Sequence, residues 1–209
     1  ITDILPGTKV KTVKAAVYNN LVERQVGKSN YFMIGFTITI DKLDYQQMVK
    51  YMEAGNHIFI AAYQLKGILS DTLKLKITSD FNFQSKRKYP INFVNPNLKR
   101  ALDYYFDKGI NDHYFEGFDT AKAIVLGRKE NNQVNFIQYK YGKGSLIILP
   151  NPKLLTNYSL LKENGADYAA KALSYLPKAE IFLWDEQFTR LDGKDSSILR
   201  VLFKYEQLR

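Results

Sequence analysis

The chain has 209 residues, 45% hydrophobic and 24% charged, which is long enough to bury a core and too apolar to be disordered. Its net charge is +9, but the basic runs fall on different predicted elements. That scatter argues against a nucleic-acid site and indicates a solvated basic surface, with an anionic membrane surface as the alternative. The sequence contains no Cys, which excludes disulfides, thiolate metal sites and Cys nucleophiles.

The first clear unit is a strand, a helix and a second strand. Residues 31–36 and 57–62 are continuous apolar runs, as is typical of strands covered on both faces. Between them, Asp44 and Gln47 have the spacing of a capping box and start a helix predicted over 45–54. A right-handed crossover through this helix makes the two strands parallel.

The segments on either side of this unit have weaker periodicity. We predict one strand between Val10 and Val17 and a short helix between Leu65 and Leu75. Residues 76–120 lack a clean pattern, and short apolar runs at 91–94 and 114–115 predict strands of an antiparallel insertion.

The stretch from Ala121 to Leu149 predicts a three-stranded β-meander. Its strands cover 121–126, 134–139 and 145–149, and the glycines of Gly142-Lys143-Gly144 supply the last turn. A phosphate-binding loop would place its glycines between a strand and a helix, whereas these glycines join two strands. The hairpin turn is therefore the better interpretation.

A second crossover closes the pattern. Asn164 starts a helix predicted over 165–176, and residues 181–184 form another buried strand. Residues 196–208 have the periodicity of a closing amphipathic helix. The chain is thus predicted to be a single α/β domain over 1–209, with a mostly parallel sheet flanked by helices and extended by the meander.

Several segments also carry a resemblance to a known family. They cover residues 6–10, 30–35, 54–62, 71–73 and 141–144, and the most specific are Thr156-Asn157-Tyr158-Ser159-Leu160-Leu161, Ala172-Leu173-Ser174-Tyr175-Leu176-Pro177 and Trp184-Asp185-Glu186. Through these segments the chain resembles the bacterial family called domain of unknown function 4350.

The resemblance implies a class I glutamine amidotransferase-like, flavodoxin-like fold. It also implies a domain on the periplasmic side of the bacterial inner membrane, excised here from between two transmembrane helices. The implied partners are envelope membrane proteins, in a system linked to a MoxR-type ATPase. Glutaminase chemistry requires a Cys nucleophile on a strand-to-helix elbow. Tyr63 follows the corresponding strand in this sequence and does not replace that Cys.

The two histidines do not form a metal-binding pattern. His57 begins a strand, whereas ligands of such sheets bind beyond the carboxyl ends of strands, so a structural role is favoured. His113 has Asp112 and Asp107 nearby at irregular spacing, which is a poor metal signature. We predict neither a metal nor a cofactor.

Polar residues directly follow two of the buried strands, and they form the candidate ligand or partner surface: Asn151, Thr156, Asn157, Tyr158, Asp185 and Glu186. The carboxyl ends of parallel strands meet at one edge of a sheet, so these groups gather there if the two strands are neighbours. The structural alternative is that Thr156 caps a helix, Tyr158 packs and Asp185 caps a loop.

Three functions remain open from the sequence. The leading hypothesis is a non-catalytic binding or assembly module that captures a partner through this edge. The alternatives are a hydrolase that uses Asp185 and Glu186 for acid–base chemistry, and a scaffold that only assembles membrane partners.

Overall fold

The computed structural model describes residues 8–22, 29–80, 88–107 and 109–188. Within these ranges eleven strands form one sheet. They are β1 (Lys9–Val13), β2 (Ser29–Ile40), β3 (His57–Gly67), β4 (Lys76–Ser79), β5 (Pro90–Phe93), β6 (Tyr104–Tyr105), β7 (His113–Gly117), β8 (Ala123–Lys129), β9 (Val134–Tyr141), β10 (Gly144–Leu149) and β11 (Ile181–Asp185). The helices are α1 (Val17–Val22), α2 (Lys42–Glu53), α3 (Ile68–Thr72), α4 (Asn157–Leu160) and α5 (Gly165–Leu173), with 3-10 turns at Glu130–Asn132 and Pro152–Leu155.

Five strands form the parallel half of the sheet, in the order β1-β11-β2-β3-β10. The four strands predicted from apolar runs all lie here and are parallel, as the crossovers required. In register, Asp185 at the end of β11 lies opposite Met33, and Leu149 at the end of β10 lies opposite Ala61. Strands β2 and β3 therefore continue beyond their neighbours at the carboxyl edge.

The other half of the sheet is antiparallel. It continues from β10 through β9, β8 and β5 to β6, and β7 pairs with both β4 and β9. The prediction of a mostly parallel, flavodoxin-like sheet is therefore not supported, whereas the antiparallel meander is confirmed. The periodicity failed between 76 and 117 because these strands are two to five residues long and only partly buried.

Several helices and strands begin or end at other residues than the sequence predicts. Helix α2 begins after Asp41, whose side chain caps it by accepting the backbone N–H of Asp44, so the cap lies three residues before the predicted one. Strand β3 continues to Gly67 and leaves only five residues for the helix predicted between Leu65 and Leu75. The predicted closing helix at 196–208 lies outside the described residues.

The sheet separates two hydrophobic cores because alternate strand residues face opposite sides. On one side, Tyr31, Met33 and Leu183 pack with residues of α1 and α2. On the other, Phe32 stacks on Phe59 and Trp184 at ring-centroid distances of 5.1 and 4.9 Å, and α5 contributes the buried side chains Tyr168, Ala172 and Leu173. Helices thus cover both faces of the parallel half, and the carboxyl edge lies between the two layers.

Candidate functional site

The two predicted parts of the surface do not meet. Strands β10 and β11 run in the same direction, but β2 and β3 lie between them. Three strand spacings of ~4.8 Å separate the ends of β10 and β11 by roughly 14 Å. The structure therefore divides the predicted surface into an Asp185–Glu186 part and a part that extends from Asn151 to Tyr158.

Asp185 is a buried structural carboxylate. Its side chain is fully buried, the Tyr31 hydroxyl donates to Oδ2 at 2.5 Å, and the Gln187 backbone N–H donates to Oδ1 at 2.7 Å. Asn20 Nδ2 in turn donates to the Tyr31 hydroxyl at 3.1 Å. Burial, helped by the nearby Asp44 and Glu186 carboxylates, raises the pKa of the Asp185 carboxyl to about 6, although the hydrogen bonds from Tyr31 and Gln187 lower it.

Glu186 lies beside Asp185 in sequence but does not share its environment. Its backbone N–H donates to Val13 O at 2.9 Å and so continues the pairing with β1. Its carboxylate lies 3.5 Å from the Lys14 ammonium, with a quarter of the side chain exposed. The two carboxylates do not converge on a common point, which argues against their acting as an acid–base pair.

Asn151 is a buried clamp between two strands. It is fully buried, its Oδ1 accepts the backbone N–H of His113 at 2.9 Å, and its Nδ2 donates to the His113 carbonyl at 2.8 Å. The end of β10 is thereby fixed to the start of β7. This role is structural, and it sets the position of the His113 side chain.

We expect Asn151→Ala to lower the free energy of unfolding by about 2 kcal/mol, because two backbone groups of His113 lose their partner. The measurement is urea denaturation, with Asn157→Ala as the control because its side chain has no hydrogen bond to any described residue. Equal stabilities of the two variants would contradict the clamp.

His113 lies against the ring of Tyr63, with centroids 4.4 Å apart. Burial, together with the charges of Lys129 and Lys153, lowers the pKa of the His113 imidazole to about 4, so the ring is neutral at pH 7. Asp112 accepts the Gly109 backbone N–H, and Asp107 contacts other residues. In the described part of the chain, no group of three or more His, Asp or Glu residues is placed to hold a metal ion.

Lys129 is a buried cation that sequence reasoning missed. Its side chain is fully buried, and Nζ donates to Asp80 Oδ2 at 3.0 Å and to the Asp112 carbonyl at 2.8 Å. The ammonium also lies over the rings of Tyr89 and Tyr114, at 4.6 and 5.2 Å. Lys129 is the last residue of β8, a position where an exposed lysine is common, so the sequence gives no sign that this side chain is buried.

Tyr158 is an exposed ring held in place by an ion-pair network. Its side chain is 56% exposed, and its hydroxyl donates to Asp107 Oδ2 at 2.6 Å. Lys88 and Lys162 contact the same carboxylate at 3.0 and 3.3 Å, and Lys162 lies 4.7 Å from the Tyr158 ring centroid. The Tyr158 hydrogen bond, with those of the two lysines, holds the pKa of Asp107 well below its usual range.

Tyr158 and its neighbours form a patch that we call the Tyr158 surface, and it consists of Lys88, Asp107, Tyr158, Leu161 and Lys162. Leu161 is 81% exposed beside α4. Thr156 does not cap α4 through its side chain; its Oγ donates to the Lys153 carbonyl at 2.7 Å and fixes the turn that precedes the helix. Asn157 is the first residue of α4.

Among the described residues, no helix is both long enough and apolar enough to cross a bilayer.

Comparison with known proteins shows the fold and a family match. A family model described as "Domain of unknown function (DUF4350)" matches residues 3–173. No curated protein matches the sequence significantly.

Among solved structures, the chain is similar to the N-terminal domain of mmIFT52, with 12% identity, a TM-score of 0.55, and coverage of 78% of this chain and 82% of that one. It is also similar to a cytoplasmic protein from Salmonella typhimurium, with 12% identity, a TM-score of 0.46, and coverage of 68% and 72%. At such identities the first likeness shows the fold alone.

Proposed function

The chain belongs to the family of domain of unknown function DUF4350, and we propose that it is a non-catalytic binding or assembly module of a bacterial envelope membrane protein. In this proposal the domain lies on the periplasmic side of the inner membrane, anchored by helices outside this sequence. Its partners are envelope membrane proteins, in a system linked to a MoxR-type ATPase. The observation that carries the binding role is the Tyr158 surface.

The Tyr158 surface combines exposure with fixed geometry. Large exposed side chains normally lose rotamer freedom when a partner covers them, and that loss weakens binding. The Tyr158 ring is already held at its hydroxyl by Asp107 and at its face by Lys162, yet more than half of it is open to solvent. A pre-ordered Tyr beside an exposed Leu is the kind of anchor on which protein–protein affinity concentrates.

The hydrolase alternative receives less support from the geometry. Asp185 is fully buried and accepts two hydrogen bonds, while Glu186 lies beside Lys14. Neither carboxylate lies next to the Tyr158 surface. Asp185 is the last residue of β11, and two strands, β2 and β3, separate β11 from β10.

We expect the double replacement Tyr158→Ala and Leu161→Ala to weaken partner binding at least 30-fold, since loss of a central Tyr typically costs about 2 kcal/mol. The partner is first identified in the full-length protein, in its own membrane, by a photo-crosslinking amino acid placed at position 161. The dissociation constant is then measured with the purified partner.

The chain offers a control in Tyr18 and Leu43, which are 40% and 60% exposed on α1 and α2. These two helices pack on the opposite side of the sheet from Leu154, which precedes α4, so replacing both residues by Ala removes exposed apolar area away from the Tyr158 surface. Equal weakening by the two double variants, or the same crosslink from position 43, would contradict the Tyr158 surface as the binding site.

A further inference from the structure

Strand β1 lies at one end of the sheet and has a neighbouring strand on one side only. Among the described residues it pairs with β11 and with no other strand. The Lys9 backbone N–H donates to the Glu180 carbonyl at 2.9 Å. At the other end of the strand, the Val13 carbonyl accepts the Glu186 backbone N–H, also at 2.9 Å. These bonds hold β1 against β11 along its whole length and leave its second edge without a strand beside it in the described chain.

The outer edge of β1 carries backbone donors and acceptors. Successive residues of an extended strand direct their backbone groups to opposite edges. Because Lys9 and Val13 bond toward β11, Lys11 does so as well, and Val10 and Thr12 direct their N–H and C=O groups outward. No described residue pairs with these outward groups, and Thr12 is exposed. Such a row of open N–H and C=O groups is a template on which another extended segment can pair.

The side chains along this edge are basic on one face and partly apolar on the other. Lys9 and Lys11 share one face of β1 because alternate residues of a strand point the same way. Neither lysine forms an ion pair with any described residue, whereas Lys14, just beyond the strand, lies 3.5 Å from the Glu186 carboxylate. On the opposite face, Val10 is only partly buried against the core. A strand placed beside β1 therefore meets two unpaired ammonium groups on one face and an apolar side chain on the other.

We propose that the free edge of β1 binds an extended acidic segment of a partner protein, which adds a strand to the sheet. The backbone of this segment pairs with the outward groups of Val10 and Thr12. Acidic side chains at alternate positions lie beside Lys9 and Lys11, and the apolar side chains between them cover Val10. In strand addition the backbone bonds supply affinity and the alternate side chains supply specificity. Opposite charges on neighbouring strands add to the stability of the pair.

The same two lysines argue against a second copy of this chain as the occupant. An antiparallel copy of β1 centred on Lys11 places that ammonium directly opposite its equivalent, and like charges in this arrangement are destabilising. Charged residues on edge strands are a common means of preventing such self-association. A segment that carries carboxylates at these positions replaces the repulsion with attraction. The edge therefore rejects its own copy and accepts a strand of opposite charge.

The β1 edge and the Tyr158 surface are separate sites. Strand β1 begins the order of the sheet and β6 ends it, and Asp107 of the Tyr158 surface follows β6. Strand addition at β1 goes beyond the partner binding proposed above and does not require it. The variants that test the edge leave Tyr158 and Leu161 in place, so failure at one site is distinguishable from failure at the other.

Hydrogen exchange in the unliganded chain tests whether the edge is open. We expect the backbone amides of Val10 and Thr12 to exchange at least about 10-fold faster than those of Lys9 and Lys11, which donate toward β11. Slow exchange of the outward amides in dilute solution would show that another part of the same chain covers the edge. Slow exchange that appears only at high protein concentration would show a second copy there. Either result overturns the proposal.

The binding probe is a synthetic peptide with the sequence Glu-Val-Glu-Val-Glu and blocked ends, titrated into the isotope-labelled chain and followed by NMR. We expect saturable shifts of the β1 amides with a dissociation constant on the order of 0.1–1 mM at low salt, as suits a short peptide. The amides of Val10 and Thr12 should become protected from exchange. The matched peptide Lys-Val-Lys-Val-Lys should bind at least about 10-fold more weakly. Absence of saturable shifts with the acidic peptide overturns the proposal.

Methylation of backbone nitrogens separates strand pairing from charge attraction alone. Two further acidic peptides carry N-methyl groups either on every glutamate or on every valine, so their charge is identical. An added strand directs alternate N–H groups toward β1, so one of these peptides should lose binding while the other retains it. Equal effects of the two methylation patterns would show that the peptide does not add a strand.

Variants of the chain test the two parts of the site. Joint replacement of Lys9 and Lys11 by Ala should weaken binding of the acidic peptide about 5-fold. The control replaces Lys140 and Lys143, two exposed lysines of the β9–β10 hairpin, which four strands separate from β1. Thr12→Pro removes an outward N–H, which an edge strand tolerates, and should abolish binding while thermal unfolding stays close to that of the original chain. Undiminished binding by a folded Thr12→Pro variant, or equal weakening by the two lysine pairs, overturns the proposal.

Discussion

Replacing Gly144 by Ala is expected to lower the free energy of unfolding by at least about 3 kcal/mol, the upper end of ordinary overpacking. A Cβ at this position would lie 2.0 Å from the Asn56 carbonyl oxygen and 2.3 Å from the Met52 carbonyl oxygen. Both are backbone atoms at the end of α2 and the start of β3, so no side-chain rotation relieves the clash. For a chain of this size the Tm should fall by roughly 6–12 °C, as measured by thermal denaturation.

Two neighbouring replacements in the same turn give the comparison. Gly142 has φ +55°, a left-handed conformation in which a side chain costs about 1–2 kcal/mol, and its Cβ would lie 3.2 Å from the Glu53 backbone. Lys143→Ala keeps a Cβ that is already present and should change stability by less than about 0.5 kcal/mol. If Gly144→Ala is no less stable than Lys143→Ala, β10 does not begin against the end of α2.

The glycine turn shows what the sequence could predict and what it could not. Gly142-Lys143-Gly144 between two apolar runs indicated a hairpin, and the positive φ of Gly142 fits a turn with glycine at its first central position. The need for glycine at 144 has a different origin, since no positive φ is involved and the cause is the close approach of α2. That contact joins residues about ninety positions apart, and no local pattern encodes it.

The strands could be predicted from local sequence patterns, whereas the arrangement of the candidate surface could not. The apolar runs at 31–36, 57–62, 145–149 and 181–184 predicted buried parallel strands, because burial on both faces leaves a continuous local signal. A crossover fixes the direction of a strand but not its neighbours, so the order β11-β2-β3-β10 was open, and with it the separation of Asp185 from Asn151. Tyr63 was read as the residue after a strand, whereas β3 continues through it with Phe36 opposite.

Asp185 also illustrates how an acidic residue after an apolar run can be misread. Strand β11 pairs with β1 on one edge and with β2 on the other. Asp185 faces the same side of β11 as Leu183, so its side chain enters the core beneath α1 and α2. A carboxylate there is retained by its hydrogen bonds with Tyr31 and Gln187. Its burial makes the stability of the protein depend on pH.

The stability difference between the original chain and Asp185→Asn is expected to fall by up to about 3 kcal/mol as the pH rises from 4 to 8. Burial raises the pKa of the folded-state carboxyl from 3.8 to about 6, so between these values the folded state holds a proton that the unfolded state has released. The stabilising contribution is therefore complete below pH 3.8 and is lost as the pH rises through 6. Asn is neutral throughout and copies the shape of the protonated acid.

Urea denaturation at pH values from 4 to 8 measures this difference directly, because other titrating groups, including Asp44, are common to both proteins and cancel. Asp185→Ala should be destabilised by about 2–4 kcal/mol at pH 4, since the Tyr31 hydroxyl and the Gln187 N–H both lose their acceptor, and this difference should also shrink as the pH rises because Ala does not titrate. Glu163→Gln removes one exposed carboxylate and controls for the change in net charge. A difference between the original chain and Asp185→Asn that stays constant from pH 4 to 8, or grows with pH, would show that Asp185 is not a buried acid in the folded protein.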